Sequence, residues 1–235
     1  MTKKIVLSCM AIGLSVAAMA QARVGIKGGY NLANITTGSG GNVEENKFKS
    51  SFNVGVIADF PLSPVLSLQP GVFYTGKGSK LERGNPGDVT YFKTSTNPQY
   101  IEIPVNLVGK IPIGEDTRLF IGAGPYAAFG VAGKNKYALG PVSGESKIKW
   151  DDDTPFDNTD PNQGYDKYKR FDYGGNLLAG VEVGNFLISA QYGLGFAKIL
   201  SGADDSRDDK SKNRVWSFSV GYLFGGSGSG KNKAE

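Results

Sequence analysis

The chain has 235 residues, of which 34 are glycine and 11% are aromatic, while only 20% are charged. Glycine at about twice its average frequency is unfavourable in helices, and this composition excludes both a disordered chain and an ordinary helical protein. The formal net charge of +4 gives no support for a nucleic-acid-binding surface, and the absence of histidine removes the usual general base and the commonest metal ligand.

Residues 1–20 have the pattern of a secretory signal peptide. Two lysines precede an apolar stretch, and Ala18-Met19-Ala20 forms a small-x-small cleavage site. The pattern predicts export and cleavage after Ala20, with cleavage after Ala22 as the alternative. Because the single cysteine, Cys9, lies in this leader, we expect the mature chain to contain no disulfide.

Alternation of apolar and polar residues with a period of two recurs along the rest of the chain and predicts β-strands with two different faces. Each predicted strand is close to the roughly 9–11 residues that a tilted membrane-crossing strand needs. The connections alternate between short turns and long polar loops at 36–49, 76–99, 132–169 and 199–213. The eight predicted strands cover about residues 23–35, 50–60, 65–75, 100–110, 119–129, 171–183, 186–196 and 216–224.

This layout predicts an all-β fold, an eight-stranded antiparallel transmembrane barrel with up-and-down connections over residues 21–224. Long loops would be extracellular and short turns periplasmic, with a flexible tail at 225–235. A soluble lipocalin-like barrel is the rival, since it alternates in the same way. The membrane barrel is favoured because the polar parity is mostly glycine, serine and asparagine rather than lysine and glutamate.

Aromatic residues on the apolar parity collect near the strand ends, as expected for the two aromatic girdles of a membrane barrel. One group points to the long-loop end and the other to the short-turn end. They are Tyr30, Phe52, Tyr74, Phe129, Phe171, Phe196 and Trp216 in the first, and Phe60, Phe186, Tyr222 and Phe224 in the second.

Four ordered motifs resemble those of PorT-like outer-membrane β-barrel proteins. The resemblance implies an eight-stranded barrel in the outer membrane of a Gram-negative bacterium, inserted by the barrel-assembly machinery. It implies no single activity, although the family is named for a member linked to protein secretion. The motifs are Tyr100-Ile-Glu-Ile-Pro-Val-Asn-Leu107, Phe120-Ile-Gly-Ala-Gly-Pro-Tyr126, Phe171-Asp-Tyr-Gly-Gly175 with Ala179-Gly-Val-Glu182, and Gln191-Tyr-Gly-Leu-Gly-Phe196.

Charged residues of both signs on the polar parity are predicted to face the lumen. Unpaired charges in a confined space are costly, so we expect them to pair and to plug the barrel. A narrow ion-conducting path along the same residues is the alternative. Paired carboxylates for hydrolysis are a third reading. The predicted lumen charges are Lys27, Asp59, Glu102, Lys110, Asp172 and Glu182, with Arg23 beside them.

Two acidic stretches in the long loops suggest either solvated surface or loose binding of divalent cations that bridge lipopolysaccharide. They contain Asp151, Asp152, Asp153, Asp157 and Asp160, and Asp204, Asp205, Asp208 and Asp209. The tail from Gly225 to Lys231 resembles a phosphate loop, but no Ser, Thr or helix follows it, which favours a flexible segment.

Together these patterns predict a non-enzymatic outer-membrane protein with no cofactor and no catalytic residues. Its expected partners are outer-membrane lipid and lipopolysaccharide, with an unidentified protein or glycan at the loops and no nucleic acid. Its role would be structural or interaction-based, with an association with secretion, and a narrow pore for ions or small solutes is the alternative. A membrane-embedded hydrolase or acyltransferase is the third hypothesis. It is disfavoured because the familiar mechanisms use a histidine base and the chain has no histidine.

Overall fold

The computed structural model describes residues 22–36, 48–85, 88, 90–151, 167–199 and 211–225. None of these segments forms a helix of the length and apolarity needed to cross a membrane. They form the strands β1 (Arg23–Thr36), β2 (Lys49–Ser63), β3 (Leu66–Gly76), β4 (Ser79–Arg83), β5 (Phe92–Pro112), β6 (Thr117–Leu139), β7 (Val142–Lys147), β8 (Lys149–Trp150), β9 (Lys167–Tyr168), β10 (Phe171–Val183), β11 (Phe186–Gly195) and β12 (Lys212–Phe224).

Eight of these strands close into an antiparallel barrel in the order β1, β2, β3, β5, β6, β10, β11 and β12. The barrel closes where β1 pairs with β12, from Val24 opposite Phe224 to Thr36 opposite Lys212. Closure leaves no unpaired edge among the spanning strands, which is the condition for a β-structure in lipid. The predicted fold class, an antiparallel outer-membrane barrel, is therefore confirmed.

The long-loop end carries more strand than the sequence pattern predicts. The strands β5 and β6 pair along their whole length, from Phe92 opposite Leu139 to Pro112 opposite Arg118. Their extensions, with β4 and β7 at the two edges, form a four-stranded sheet beyond the barrel. The prediction of continuous loops at 76–99 and 132–169 is wrong. Polar residues lie on both faces of these strands, so the sequence there shows no alternation of apolar and polar residues.

The burial pattern is the reverse of that of a soluble barrel. On the outer surface Ile121 and Val220 each expose 66% of their area, whereas in the lumen Asp59, Asp172 and Glu182 expose 1% or less. Apolar area exposed on this scale is unfavourable in water and is favourable against lipid. The lipocalin-like alternative is excluded by this observation.

The short-turn end closes each hairpin with few residues. Val183 pairs with Phe186, so the connection is Gly184-Asn185, and Gly184 has a φ of +56°. Two-residue hairpins need this left-handed conformation, which glycine adopts without strain. The tight turn fixes the register of β10 and β11 and therefore which of their residues face the lumen.

Several sequence predictions lie outside the described residues. They are the leader at 1–20 with its cleavage site, the tail beyond Gly225, and the loop aspartates except Asp151. Asp151 lies 3.4 Å from Lys167 across β8 and β9. Among the described residues no three histidine, cysteine, aspartate or glutamate side chains are grouped to hold a metal ion.

Candidate functional site

Four charged side chains meet in the lumen at the short-turn end, and we call them the turn-end cluster: Arg23, Asp59, Lys110 and Glu182. Arg23 lies 2.6 Å from Asp59 and 2.8 Å from Glu182. Lys110 lies 2.7 Å from Asp59 and 3.1 Å from Glu182. Two cations and two carboxylates thus alternate in a ring, and each charge faces two of opposite sign.

The ring forms because its four members occupy lumen-facing positions near the short-turn ends of β1, β2, β5 and β10. Strand register sets Arg23 directly opposite Asp59. Gln69 adds a hydrogen bond of 2.9 Å to Asp59, and Arg118 lies 3.3 Å from Glu182. Buried charges are tolerated when they are paired and hydrogen-bonded in this way.

An apolar layer fills the lumen beside the turn-end cluster. Ile57 and Val108 are buried in this layer. They lie two residues before Asp59 and Lys110, on the same faces of their strands. Phe73 packs against the layer from β3. Its buried members are Ile57, Val108, Phe120, Leu178, Leu187 and Leu223.

A second group of charges closes the lumen at the long-loop end, and we call it the loop-end cluster: Lys77, Glu102 and Asp172. The ammonium nitrogen of Lys77 lies 2.8 Å from Glu102 and 2.9 Å from Asp172. The same nitrogen lies 4.1 Å from the ring centre of Tyr126, a cation–π distance. Asn213 donates a hydrogen bond of 3.0 Å to Asp172.

Lys77 reaches the lumen because it continues the inward parity of Gln69 and Thr75 one residue beyond β3. Gly78 follows with a φ of +123°, and an added Cβ there would lie 2.1 Å from the carbonyl oxygen of Thr96. Only glycine fits this backbone, so the change of chain direction directly after Lys77 is set locally. The sequence analysis missed Lys77, which lies in a predicted loop. The signal was a charge imbalance, since four predicted lumen carboxylates faced only three cations.

Aromatic rings cover the loop-end cluster. Tyr100 is fully buried, and its ring lies 5.5 Å from that of Trp150 in an edge-on arrangement. Tyr168 is also buried and donates a hydrogen bond of 3.2 Å to Thr96. The short strands β8 and β9 therefore place a lid of side chains over the long-loop end of the lumen.

Lys27 is the one predicted lumen charge that does not join either cluster. It lines a cavity of about 30 Å³ with Asn53, Thr75 and Ser217, and a second of about 20 Å³ with Gln69. Among the described residues none forms an ion pair or hydrogen bond with Lys27. With Arg23, Lys77 and Lys110 it makes four lumen cations, equal in number to the four lumen carboxylates, and Arg118 adds a partly exposed charge beside Glu182.

The predicted girdle aromatics lie on the outer surface in two groups. At the long-loop end the rings of Tyr192 and Trp216 are 4.7 Å apart, and Tyr30 pairs with Phe52 across β1 and β2. At the short-turn end the rings of Phe186 and Tyr222 are 5.0 Å apart. The remaining members, Phe60, Tyr74, Phe129, Phe171, Phe196 and Phe224, share the same outward parity.

The four-stranded sheet beyond the barrel carries lysines on the face that continues the outer surface. Beside them, a hydrogen bond from Lys134 holds the pKa of Glu145 below its usual range. The hydrogen bond that Tyr91 donates to Glu82 raises the pKa of the tyrosine. The lysines of the sheet are Lys80, Lys93, Lys134, Lys136 and Lys147, and Lys49 at the start of β2 lines the same surface.

A closed antiparallel barrel with an apolar exterior and a charged interior defines an integral outer-membrane β-barrel protein. The sequence matches the family model "outer membrane protein beta-barrel domain" over residues 18–201, so the chain belongs to this family. The family is one of the Gram-negative outer membrane. Comparison with curated proteins gives no match.

Several solved structures are similar to this chain. Ail, the attachment invasion locus protein of Yersinia pestis, is 17% identical with a TM-score of 0.39, covering 87% of this chain and 99% of Ail. OprG from Pseudomonas aeruginosa is 13% identical with a TM-score of 0.43, covering 86% and 96%. Neisserial surface protein A is 13% identical with a TM-score of 0.41, covering 86% and 96%. Scores this low carry no argument, and the class rests on the family match and the topology.

Proposed function

We propose that this is a non-enzymatic outer-membrane barrel with a sealed lumen, whose long-loop end contacts envelope components from the outer side. The observation that carries the proposal is the filling of the lumen. Two ion clusters and an apolar layer occupy the lumen, and the two cavities that Lys27 lines beside them measure about 30 and 20 Å³. Each has room for roughly one to three water molecules.

The layered filling supports a barrel that does not conduct. An ion crossing it would have to break the turn-end cluster, which holds its charges within 3.1 Å of one another. It would then lose its hydration in the apolar layer, where nothing replaces the water. The filled lumen is therefore best explained as structural support for the surface that the barrel presents.

A narrow pore is the second candidate, and Lys27 is the observation that favours it. A lumen cation that is only partly exposed and has no partner among the described residues is costly unless water or an anion reaches it. Lys27 would then attract anions into a path that starts in the polar part of the lumen. That path would still need an opening past Phe120 and its neighbours in the apolar layer.

Single-channel conductance of the folded protein in a planar bilayer tests the proposal. We expect no steady conductance from the native chain, in samples whose insertion is shown by protection of the barrel from protease. Phe120→Ala removes a ring from the apolar layer and is a suitable comparison, because loss of the seal should raise ion leakage. Steady conductance of the native protein that changes with Lys27→Gln would favour the pore instead.

The proposed partners follow from this placement. Outer-membrane lipid and lipopolysaccharide would contact the outer surface and the long-loop end, and the barrel-assembly machinery would insert the chain. The four PorT-like motifs support an association with protein secretion, in which a loop-end partner binds the barrel. Loss of secreted protein on deletion of the gene, with an intact membrane, would support that narrower role.

A further inference from the structure

The sheet beyond the barrel continues the outer surface of β5 and β6, and a bulge sets which residues of β6 lie on that face. Tyr100 lies opposite Gly130 and Gln99 lies opposite Ala132, so Val131 is an extra residue in β6. A single extra residue reverses which parity faces outward. Ala132, which follows the bulge, is accordingly exposed.

Register places the lysines of this face in rows across the four strands. Lys80, Ser95, Lys136 and Glu145 lie directly opposite one another in one row. Neighbouring strands are about 4.8 Å apart, so the backbones of Lys80 and Lys136 are separated by about 10 Å. A row with this spacing suits a ligand with more than one anionic group.

Cations outnumber carboxylates on this face, since five ammonium groups of the sheet and that of Lys49 on the adjoining end of β2 are accompanied only by Glu82 and Glu145 among the described residues. Lys80 lies 2.8 Å from Glu82, and Lys134 lies 2.8 Å from Glu145. Within the described part of the chain, Lys49, Lys93 and Lys147 have no carboxylate within 4 Å. We call Lys49, Lys80, Lys93, Lys134, Lys136 and Lys147 the lysine face.

The cations repel one another, which makes an anionic ligand favourable. The charges of Lys136, Lys80 and Lys93 all act on Lys49. Two hollows adjoin one another on this surface, and Lys49 and Lys136 line both of them. An anion seated there would relieve the repulsion and would be bound more weakly at high salt.

The hollow that holds Lys134 and Lys147 is continuous with the lipid-facing surface. Its other wall is formed by Phe52, Tyr74 and Val131 on the barrel. Phe52 and Val131 are half exposed and belong to the apolar exterior. Lysines directly above an aromatic girdle lie at the depth of lipid headgroups, which identifies the anion's source as a lipid rather than a soluble molecule.

We propose that the lysine face binds the phosphate groups of an outer-leaflet glycolipid whose acyl chains lie against the barrel below. This inference rests on the proposed placement of the long-loop end in the outer leaflet. Each lysine near a lipid surface contributes about 1 kcal/mol, which is about a fivefold change in affinity. Loss of three lysines should therefore weaken binding by at least tenfold.

The test uses the folded full chain in a neutral detergent, titrated with bisphosphorylated lipid A and followed by native mass spectrometry. The variant Lys49→Gln/Lys93→Gln/Lys136→Gln removes three charges and keeps the ion pairs of Lys80 and Lys134. The matched control, Lys149→Gln/Lys169→Gln/Lys212→Gln, removes three charges from another part of the long-loop end. Folding of each is checked by the shift in electrophoretic mobility between heated and unheated samples.

We expect the first variant to bind lipid A at least tenfold more weakly than the native protein, and the control to bind within about threefold. Phosphatidylcholine should bind equally weakly to all three. Equal affinity in the native protein and the first variant, or an equal loss in the control, would overturn the proposal. Displacement of lipid A by inorganic pyrophosphate at equal concentration would also overturn it, because the ligand would then be a free anion.

Failure of this inference is distinguishable from failure of the proposed function. Conductance is recorded on the same preparations, and the lysine face lies outside the lumen. A conducting native protein would contradict the sealed barrel without changing the lipid titration. A silent barrel that binds lipid A independently of the three lysines would contradict only the lysine face.

Discussion

Lys77 offers the sharpest test of the lumen's construction. Its side chain is only 3% exposed and is the single cation of the loop-end cluster among the described residues. Replacement by methionine keeps the length of the side chain and removes the charge. The substitution leaves Glu102 and Asp172 buried with no cation between them.

The expected magnitude follows from those contacts. Removing one partner of a buried ion pair typically costs about 3–5 kcal/mol, because the remaining charge stays desolvated. Lys77 neutralises two carboxylates at 2.8 and 2.9 Å, so a value within this range is expected. That loss is a large share of the roughly 5–15 kcal/mol by which a folded domain is stable.

The assay is urea unfolding of the protein in phosphatidylcholine vesicles, followed by tryptophan fluorescence. Trp150 packs against Tyr100 above the cluster and reports on this end of the barrel. Lys80→Met is the matched control, because Lys80 lies 2.8 Å from Glu82 and both side chains are partly exposed. Such a pair contributes at most about 1 kcal/mol.

Adding Glu102→Gln to Lys77→Met should recover part of the loss. Only Asp172 would then lack a cation, and it keeps the hydrogen bonds that Asn213 and the Tyr126 hydroxyl donate. If Lys77→Met and Lys80→Met lower the free energy of unfolding by amounts within about 1 kcal/mol of each other, the loop-end cluster does not stabilise the barrel as argued.

Three further predictions concern other parts of the molecule. Phe120→Ala should lower the free energy of unfolding by about 3–5 kcal/mol through the cavity it leaves, measured in the same vesicles; a change below about 1 kcal/mol would contradict a packed apolar layer. Lys134→Gln should raise the pKa of Glu145 toward its ordinary value, since the hydrogen bond that lowers it is lost; carboxyl chemical shifts against pH measure this, and an unchanged pKa would refute the contact. Gly184→Ala should cost about 1 kcal/mol because φ is +56° with open space around the site, and Gly184→Asn should cost less; equal costs would count against a conformational cause.

The barrel strands were predictable because lipid and lumen impose different chemistry on alternate residues. On β10 the outward residues Tyr173 and Leu177 are exposed, while the inward residues Asp172 and Asn176 are buried. One exposed apolar face and one buried polar face give a period of two that is visible in the sequence. The predicted strand at 171–183 matches β10 in both bounds.

The sheet beyond the barrel was not predictable on the same basis. Between Lys134 and Lys136 both faces carry polar residues, because both meet water or other polar groups. The bulge at Val131 also shifts the parity, so a simple continuation of the barrel pattern would assign the wrong face. Tertiary pairing with β5, rather than local pattern, extends β6 to Leu139.

Strand parity predicts which charged residues face the lumen, but it does not predict which of them form ion pairs with one another. Glu102 and Lys110 share the inward face of β5 and end in different clusters, since eight residues separate them along the strand. Lys27 shares the inward face of β1 with Arg23 and contacts neither cluster. Lys77 continues the inward parity of Thr75 on β3, but it lies beyond the predicted end of that strand and was therefore assigned to a loop.

We propose that alternate residues of each strand face lipid and a sealed interior. Apart from Cys9 the chain has no cysteine, so single cysteines can be placed at Ser219 and Val220 on β12. The measurement is the rate at which a charged methanethiosulfonate reagent modifies Ser219→Cys and Val220→Cys in vesicles, with unfolded samples as the reactive reference. The account predicts that neither site reacts in the folded protein. Rapid reaction at Ser219→Cys would contradict the sealed lumen, and rapid reaction at Val220→Cys would contradict the lipid-facing exterior.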